Sequence, residues 1–196
     1  GVTIGVGGIG PESETGKRKS YQEQIGDWIG PYQLLEEIGS GGMGMVYRAK
    51  QEKPVRREVA LKIIKAGMDT TQVIARFEAE RQALSMMEHS NIARVLDAGA
   101  TPGGRSYFVM ELVRGISVTQ FCDDQKMHID QRLRLFCEIC DAVQHAHQKG
   151  IIHRDLKPEN ILMEPDFDCN KMKIIDFGIA SPYDMTGKKK LRAVTG

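Results

Sequence analysis

The strongest constraint on this chain is the segment His153-Arg154-Asp155-Leu156-Lys157-Pro158-Glu159-Asn160, called here loop 153–160. It holds a carboxylate at Asp155, an ammonium at Lys157 and an amide at Asn160. Pro158 disfavours a regular helix through these positions, so the segment is predicted to be a loop. A carboxylate can accept a proton, an ammonium can neutralise a phosphoryl oxygen, and an amide oxygen can bind a hard cation. These are the groups that a phosphoryl-transfer site requires.

A second acidic residue lies at Asp176, directly after the apolar pair Ile174-Ile175 and before Phe177-Gly178. An acid at the end of a strand, followed by a flexible glycine turn, is typical of a ligand for a hard metal ion. Asp176 and Asn160 are therefore the candidate metal ligands.

A glycine-rich segment lies upstream, with the sequence Gly39-Ser40-Gly41-Gly42-Met43-Gly44-Met45-Val46. Because glycine has no Cβ, the backbone N–H groups of such a turn can approach phosphates closely. A dinucleotide-binding fold uses a similar spacing but needs a helix directly after the glycines, whereas a strand-like run follows here. The next apolar run, residues 59–64, is interrupted only by Lys62. A lone strand lysine is usually a solvated edge charge, but the glycine segment favours a phosphate ligand.

Helical periodicity predicts a helix over residues 71–87, with an apolar stripe of Val73, Phe77, Leu84 and Met87. Glu80 lies on the same stripe, and a buried carboxylate needs a partner. Lys62 is the candidate partner. The alternative is that Glu80 lies at the edge of the stripe and faces solvent; Glu78 points elsewhere on the helix and is the weaker candidate.

A longer helix is predicted over residues 130–149, ending at Gly150. One apolar face is predicted, and the residues present scarcely provide partners for it: Leu133, Phe136, Ile139, Cys140, Val143 and Ala146. His145 and His147 fall on different faces, which favours solvent or core hydrogen bonding over a shared metal. The predicted strands are residues 32–38, 59–64, 92–96, 106–112, 161–162 and 173–175.

Composition excludes several classes of protein. The chain is 41% hydrophobic and 27% charged, which is ordinary for a globular protein, and its net charge of +1 gives no reason to expect a nucleic acid partner. No apolar run is long enough to predict a membrane segment. The four cysteines (Cys122, Cys137, Cys140 and Cys169) lack zinc-ligand spacing, which favours core packing and a reducing, cytoplasmic compartment. Residues 1–28 are predicted to be a flexible tail.

In combination and in order, these segments resemble the signature set of the protein kinases. Lys157, two residues after Asp155, resembles the serine/threonine-specific form of the loop. The glycine segment and residues 108–112 are similar to the bacterial, eukaryotic-like (Hanks-type) branch. The resemblance implies an α+β fold with two lobes. A small antiparallel β lobe with one helix would span residues 29–112, and an incomplete helical lobe would span residues 113–196 and end within the activation segment.

The resemblance also implies roles for individual residues in ATP-dependent transfer to Ser or Thr hydroxyls of a protein substrate. Asp155 would orient the hydroxyl and Lys157 would contact the γ-phosphate, while Lys62, held by Glu80, would position the α- and β-phosphates. Asn160 and Asp176 would hold Mg²⁺ or Mn²⁺. The nucleotide-binding residues would be Gly39, Ser40, Gly41, Gly42, Gly44, Val46, Ala60, Lys62, Met110, Glu111, Val113 and Leu162. Glu111 and Val113 would act through their backbone, and Met110 as the gatekeeper.

Further expectations concern the ribose contact, the phosphorylation sites and the activity of the chain. Ser117 stands where relatives often have a carboxylate that binds the ribose, and Ser181, Thr186 and Thr195 are candidate phosphorylation sites in the activation segment. The chain is predicted to be inactive as a kinase by itself, which leaves a nucleotide-binding or scaffolding module as the main alternative. A small-molecule phosphotransferase is a third possibility, which Lys157 and the complete loop 153–160 disfavour.

Overall fold

A computed structural model describes residues 23–42, 44–65, 88–165 and 171–177. Six strands form an antiparallel sheet in the order β1-β2-β3-β4-β6-β5. They are β1 (Trp28–Ile29), β2 (Tyr32–Gly41), β3 (Gly44–Gln51), β4 (Arg57–Ile64), β5 (Val95–Ala100) and β6 (Ser106–Glu111). The predicted small antiparallel β lobe is thereby confirmed, while the predicted helix over residues 71–87 lies outside the described residues.

The central strand β4 explains why Lys62 faces the interior. The strand lies between β3 and β6 in the sheet, and its last six residues are all buried, which shows that both of its faces are covered. Val59, Leu61 and Ile63 belong to one apolar cluster, whereas Ala60 and Ile64 belong to another. Side chains alternate between the faces of a strand, so Lys62 shares the face of Ala60 and Ile64.

The second part of the fold contains a small antiparallel sheet and two α-helices among its described residues. The sheet has the order β7-β8-β9, and both helices lie between β7 and β8 in the sequence. Its elements are β7 (Ile116–Ser117), α1 (Val118–Asp124), α2 (Ile129–Gln148), a 3₁₀ turn (Pro158–Asn160), β8 (Ile161–Glu164) and β9 (Lys171–Ile174). The sequence analysis did not predict β7 or α1; Ser117 begins α1 by accepting a hydrogen bond from the backbone N–H of Gln120 at 3.3 Å.

The apolar face predicted for α2 is exposed in part, as expected from its scarce partners. Ile139 and Ala146 are buried, and Val143 is half-buried. The residues buried on α2 are Leu135, Ile139, Ala142 and Ala146, whereas Leu133, Phe136 and Cys140 are exposed. The helix has two apolar stripes on different sides, and periodicity alone does not show which of them meets the core.

The two parts of the fold meet along β9. Residues 92–96 do not form one strand as predicted, because β5 begins only at Val95 and Ile92 forms a parallel bridge to Ile174. The N–H of Ile174 donates to the carbonyl of Asn91 at 2.8 Å, and the N–H of Ala93 donates to the carbonyl of Ile174 at 2.9 Å. Ile92 is buried in the core of the second part, so this segment joins the two lobes.

The proposed boundary of the N-terminal tail at residue 28 stays a prediction, but part of the segment contacts the fold. The carboxylate of Glu23 is buried and pairs with the guanidinium of Arg105, in the turn between β5 and β6. In the part of the chain that the structure describes, no helix has the length and apolar character needed to cross a membrane.

Candidate active site

Loop 153–160 is held in place by a buried imidazole. The Nε2–H of His153 donates to the carbonyl of Ile175 at 2.9 Å, and its Nδ1 accepts the backbone N–H of Asp155 at 3.3 Å. These two bonds require a neutral ring with its proton on Nε2. Burial favours the same form, because it lowers the pKa of His153. The ring also packs edge-on against Phe177, with 4.6 Å between ring centroids.

Asp155 carries its charge at the surface of this loop. Its Oδ2 lies 3.1 Å from the Nζ of Lys157, and about half of each side chain is exposed. The hydrogen bond from Lys157 lowers the pKa of Asp155 below its ordinary value. Asp155 is therefore a carboxylate at neutral pH and can accept a proton or a hydroxyl hydrogen bond.

Asn160 connects the loop to the end of β9. Its Nδ2 donates to the carbonyl of Asp155 at 2.8 Å and lies 3.4 Å from the carboxylate Oδ2 of Asp155. Its own carbonyl accepts the N–H of Ile175 at 2.9 Å, one residue before Asp176. Because the amide nitrogen binds Asp155, the amide oxygen Oδ1 is the group left to serve as a metal ligand.

Asp176 forms an ion pair that joins the lobes. Its Oδ2 lies 2.7 Å from the Nζ of Lys62, although the two residues are 114 positions apart. The partner predicted for Lys62 from the sequence is Glu80. Because Glu80 lies outside the described residues, that pair stays a prediction. The structure adds Asp176 as a partner that the sequence patterns did not indicate.

The backbone is strained at two positions within the site. Asp176 has φ = 62° and Arg154 has φ = 66°, both in the left-handed region that residues other than glycine seldom adopt. Such conformations occur preferentially at functional sites, where the surrounding structure imposes them. Asp176 is itself a predicted metal ligand, and Arg154 lies directly before Asp155.

The glycine segment forms the turn between β2 and β3, and its glycines differ in their surroundings. A Cβ on Gly44 would lie 2.0 Å from the carbonyl oxygen of Ile63 on β4, and Gly44 has φ = 153°. Nothing lies within 4 Å of a Cβ built on Gly41 or Gly42. Gly44 is therefore required by packing in the ligand-free protein, whereas the space beside Gly41 and Gly42 is open to a ligand.

An apolar cluster on one face of the sheet involves three of the residues predicted to bind the nucleotide. Ala60 and Met110 are buried in it, and Val46 packs against it. Leu162, predicted to face the same base, is half-buried on β8 and is not a member of the cluster. Val113 follows β6, in the connection that leads to β7.

The donors around Asp176 suit Mg²⁺. A carboxylate and an amide oxygen are hard ligands, and Mg²⁺ completes its six positions with phosphate oxygens and water. Among the described residues, no cluster of three His, Cys, Asp or Glu side chains could hold a metal by itself. Asp176 and Asn160 would supply two of the six oxygen positions.

Comparison with known proteins agrees with this geometry. The protein kinase domain family matches residues 32–196 of the chain. The chain belongs to the protein kinase family. Its relatives include the serine/threonine-protein kinase PrkC of Bacillus subtilis, which is 36% identical over 169 residues, covering 85% of this chain and 25% of PrkC. PknA of Mycobacterium tuberculosis is 37% identical over 161 residues, covering 79% of this chain and 36% of PknA.

A solved kinase structure confirms the fold. The crystal structure of the Mycobacterium tuberculosis PknI kinase domain aligns with a TM-score of 0.69 and 27% identity, covering 82% of this chain and 64% of the PknI chain. The predicted bacterial serine/threonine branch and the two-lobed kinase fold are confirmed. The chain spans a quarter to a third of the length of the curated relatives named above.

The segment 111–115 between the lobes is called the hinge here. Two residues of this kinase domain that shape the hinge were not predicted from the sequence. A Cβ on Gly115 would lie 2.4 Å from the carbonyl oxygen of Met163 on β8, so only glycine permits this close approach. Lys173 pairs with the side chain of Glu111. A glycine at the end of the hinge was a usable signal for Gly115, whereas no sequence pattern pointed to Lys173.

Proposed function

We propose that the protein is a serine/threonine kinase that transfers the γ-phosphoryl group of ATP to a Ser or Thr hydroxyl of a protein substrate. The observation that carries this proposal is the convergence of Lys62, Asp176 and loop 153–160 at one place between the lobes. Family membership and the names of the relatives support the same activity. A cytoplasmic location belongs to the proposal and is supported by the free thiols of Cys122, Cys137 and Cys140.

The nucleotide would lie between the apolar cluster and the glycine turn. Ala60, Val46 and Met110 offer an apolar surface to adenine, and the backbone of Glu111 and Val113 would pair with its edge. Leu162 would contact the base from the side of β8. The N–H groups of the turn that contains Gly39, Ser40, Gly41, Gly42 and Gly44 would bind phosphate oxygens.

The charged residues would act on the phosphates and the acceptor. Bound Mg²⁺ would neutralise charge on the phosphate oxygens, and Asn160 and Asp176 would hold it. The substrate hydroxyl oxygen would form a bond to the γ-phosphorus while the bond from that phosphorus to the β–γ bridging oxygen breaks, which releases ADP. Asp155 would accept the hydroxyl proton, and Lys157 would neutralise a γ-phosphoryl oxygen. Lys62 would bind the α- and β-phosphates.

The test compares two carboxylate-to-amide variants in the full-length protein. Asp155→Asn should leave the Kd for Mg-ATP within about twofold and lower turnover about 10²–10⁴-fold, because it removes a proton acceptor. Asp176→Asn should weaken binding of Mg-ATP on the order of tenfold, because it removes a metal ligand. Nucleotide titration with and without EDTA, together with labelled phosphate transfer to a protein, would measure both effects. Equal loss of Mg-ATP binding in the two variants would contradict the assigned roles.

The alternative is a nucleotide-binding or scaffolding module without catalysis, and the exposed Leu133 and Phe136 of α2 favour it because they offer an interaction surface. Labelled phosphate transfer to a protein, measured beside nucleotide binding, separates the two functions. A kinase transfers the label and loses the transfer on Asp155→Asn. Nucleotide binding without any turnover would select the alternative.

A further inference from the structure

The side chain of Glu111 forms an ion pair with Lys173 across the two lobes. The Nζ of Lys173 lies 2.9 Å from Oε1 and 3.1 Å from Oε2 of Glu111. The Lys173 side chain is only 12% exposed and that of Glu111 33%. An ammonium with so little contact with water depends on its partner more than a surface lysine does.

The two residues belong to opposite ends of the proposed ATP site. Glu111 is the last residue of β6, where the backbone would pair with adenine. Lys173 lies on β9, three positions before Asp176, the proposed metal ligand. The ion pair therefore links the adenine end of the site to its metal end.

Further hydrogen bonds fix both members of the pair. Oε2 of Glu111 also accepts the N–H of Arg94 at 3.2 Å, and the N–H of Glu111 donates to the carbonyl of Arg94 at 2.9 Å. On the other strand, Nδ2 of Asn91 donates to the carbonyl of Met172, next to Lys173, at 3.0 Å. A displacement of β9 relative to β6 would have to break several of these bonds together.

We propose that Glu111 and Lys173 form a strut that sets the distance between the adenine-binding backbone and Asp176, so that both side chains are positioning residues for Mg-ATP. This inference rests on the proposed function. A ligand that contacts both ends of a site binds more tightly when the two ends are already held at the distance of the bound state. Binding then spends less free energy on ordering the site. A ligand that contacts one end does not gain in this way.

Adenosine and Mg-ATP therefore separate the strut from a general effect on the hinge. In the full-length protein, Lys173→Met should raise the Kd for Mg-ATP about tenfold and leave the Kd for adenosine within about twofold. Lys173→Arg should restore most of the lost affinity, because it keeps a charged donor. A matched control is Lys50→Met. Lys50 lies on β3 and forms an exposed ion pair with Glu52, so its replacement should change neither Kd.

The double variant tests whether the effect passes through the pair. Glu111→Gln should also weaken Mg-ATP selectively, and the double variant should bind no more weakly than Lys173→Met alone. Glu111→Gln also replaces Lys173→Met as the test variant if thermal unfolding shows that the latter does not fold.

The possible results separate this inference from the function on which it rests. Equal weakening of adenosine and Mg-ATP, additive single effects or unchanged affinity would overturn the strut while leaving the kinase assignment intact. A parent protein that binds neither ligand would overturn the proposed function and the strut together.

Discussion

At the scale of single residues, one residue type serves two purposes in the glycine turn. Gly44 lies where a Cβ would overlap the backbone of β4, whereas Gly41 lies beside open space. The first position is constrained by the fold and the second, in our proposal, by the phosphates. Substitution can distinguish the two constraints, because packing acts in the ligand-free protein and the phosphates act only in the ATP-bound protein.

Gly44→Ala should destabilise the ligand-free protein by about 2–4 kcal/mol, through overlap with the carbonyl of Ile63 and an unfavourable φ. Gly41→Ala should change the free energy of unfolding by less than about 0.5 kcal/mol but weaken ATP binding, since its methyl group would enter the space left for phosphates. Urea denaturation and nucleotide titration measure the two quantities. A stable Gly44→Ala variant would contradict the packing argument.

The ion pair between Lys62 and Asp176 leads to a second prediction at this scale. Removing either partner from this largely buried pair leaves an uncompensated charge, so the double variant Lys62→Met, Asp176→Asn should cost less than the sum of the single variants. We expect a coupling of about 1 kcal/mol or more in the ligand-free protein. The same cycle between Lys62 and Glu80, measured by ATP affinity, tests the pair predicted from the sequence. Additivity between Lys62 and Asp176 would mean that their contact contributes nothing to stability.

At the scale of elements, loop 153–160 is attached to β9 through an imidazole that must remain neutral. Burial lowers the pKa of His153, while the carboxylates of Asp176 and Asp155 oppose that effect. Burial and repulsion from His145 also lower the pKa of His89, whose ring lies 4.9 Å from that of His145 on α2. Acid should therefore loosen two contacts between elements.

The free energy of unfolding should decrease as the pH falls, because these histidines bind protons more readily in the unfolded chain. A histidine whose pKa is lower in the folded than in the unfolded protein contributes its full stability above its unfolded pKa of about 6.5. That stability is lost as the pH falls below this value, because the unfolded chain binds the proton more readily.

We expect the free energy of unfolding to decrease between pH 7.5 and pH 5.5, and His153→Gln to decrease less over that range, because glutamine does not titrate. Urea denaturation at several pH values would measure this, with His147→Gln, an exposed position on α2, as the control. An unchanged pH dependence in His153→Gln would show that His153 does not control it.

At the scale of the whole molecule, α2 exposes an apolar stripe. Ile129, Leu133 and Phe136 are 76%, 58% and 60% exposed, and their spacing of four and three positions places them on one side of the helix. Contiguous apolar surface of this kind favours association. Because the opposite side of α2 packs in the core, association need not disturb the fold.

The 196-residue chain should therefore self-associate through this stripe. Leu133→Glu combined with Phe136→Lys should lower the association measured by sedimentation velocity and change the free energy of unfolding by less than about 0.5 kcal/mol. Val55→Glu, at an exposed position between β3 and β4, is the matched control and should leave association unchanged. Leu135→Ala, on the buried side, should instead destabilise the fold by about 2–5 kcal/mol. Equal association of the stripe variant and the parent chain would exclude the stripe as the contact.

The sequence by itself determined the family and the antiparallel β lobe, and it predicted which charged residues form the site. These follow from local patterns, because a glycine turn, an apolar strand with one lysine and an acid after a strand depend on neighbouring residues. The same locality explains why the position of Gly150 at the end of α2 was predicted correctly, with φ = 76°.

Only the tertiary structure decided which groups meet. Lys62 and Asp176 lie 114 positions apart, and Glu111 and Lys173 lie 62 apart, so no periodicity relates them. The buried side of α2 was also decided in this way, because both of its apolar stripes are compatible with a helix and the core packs against Leu135 and Ala142. Hydrophobic burial and ion pairing depend on neighbours in space, and the pleat of β4 and the path of β9 bring those neighbours together.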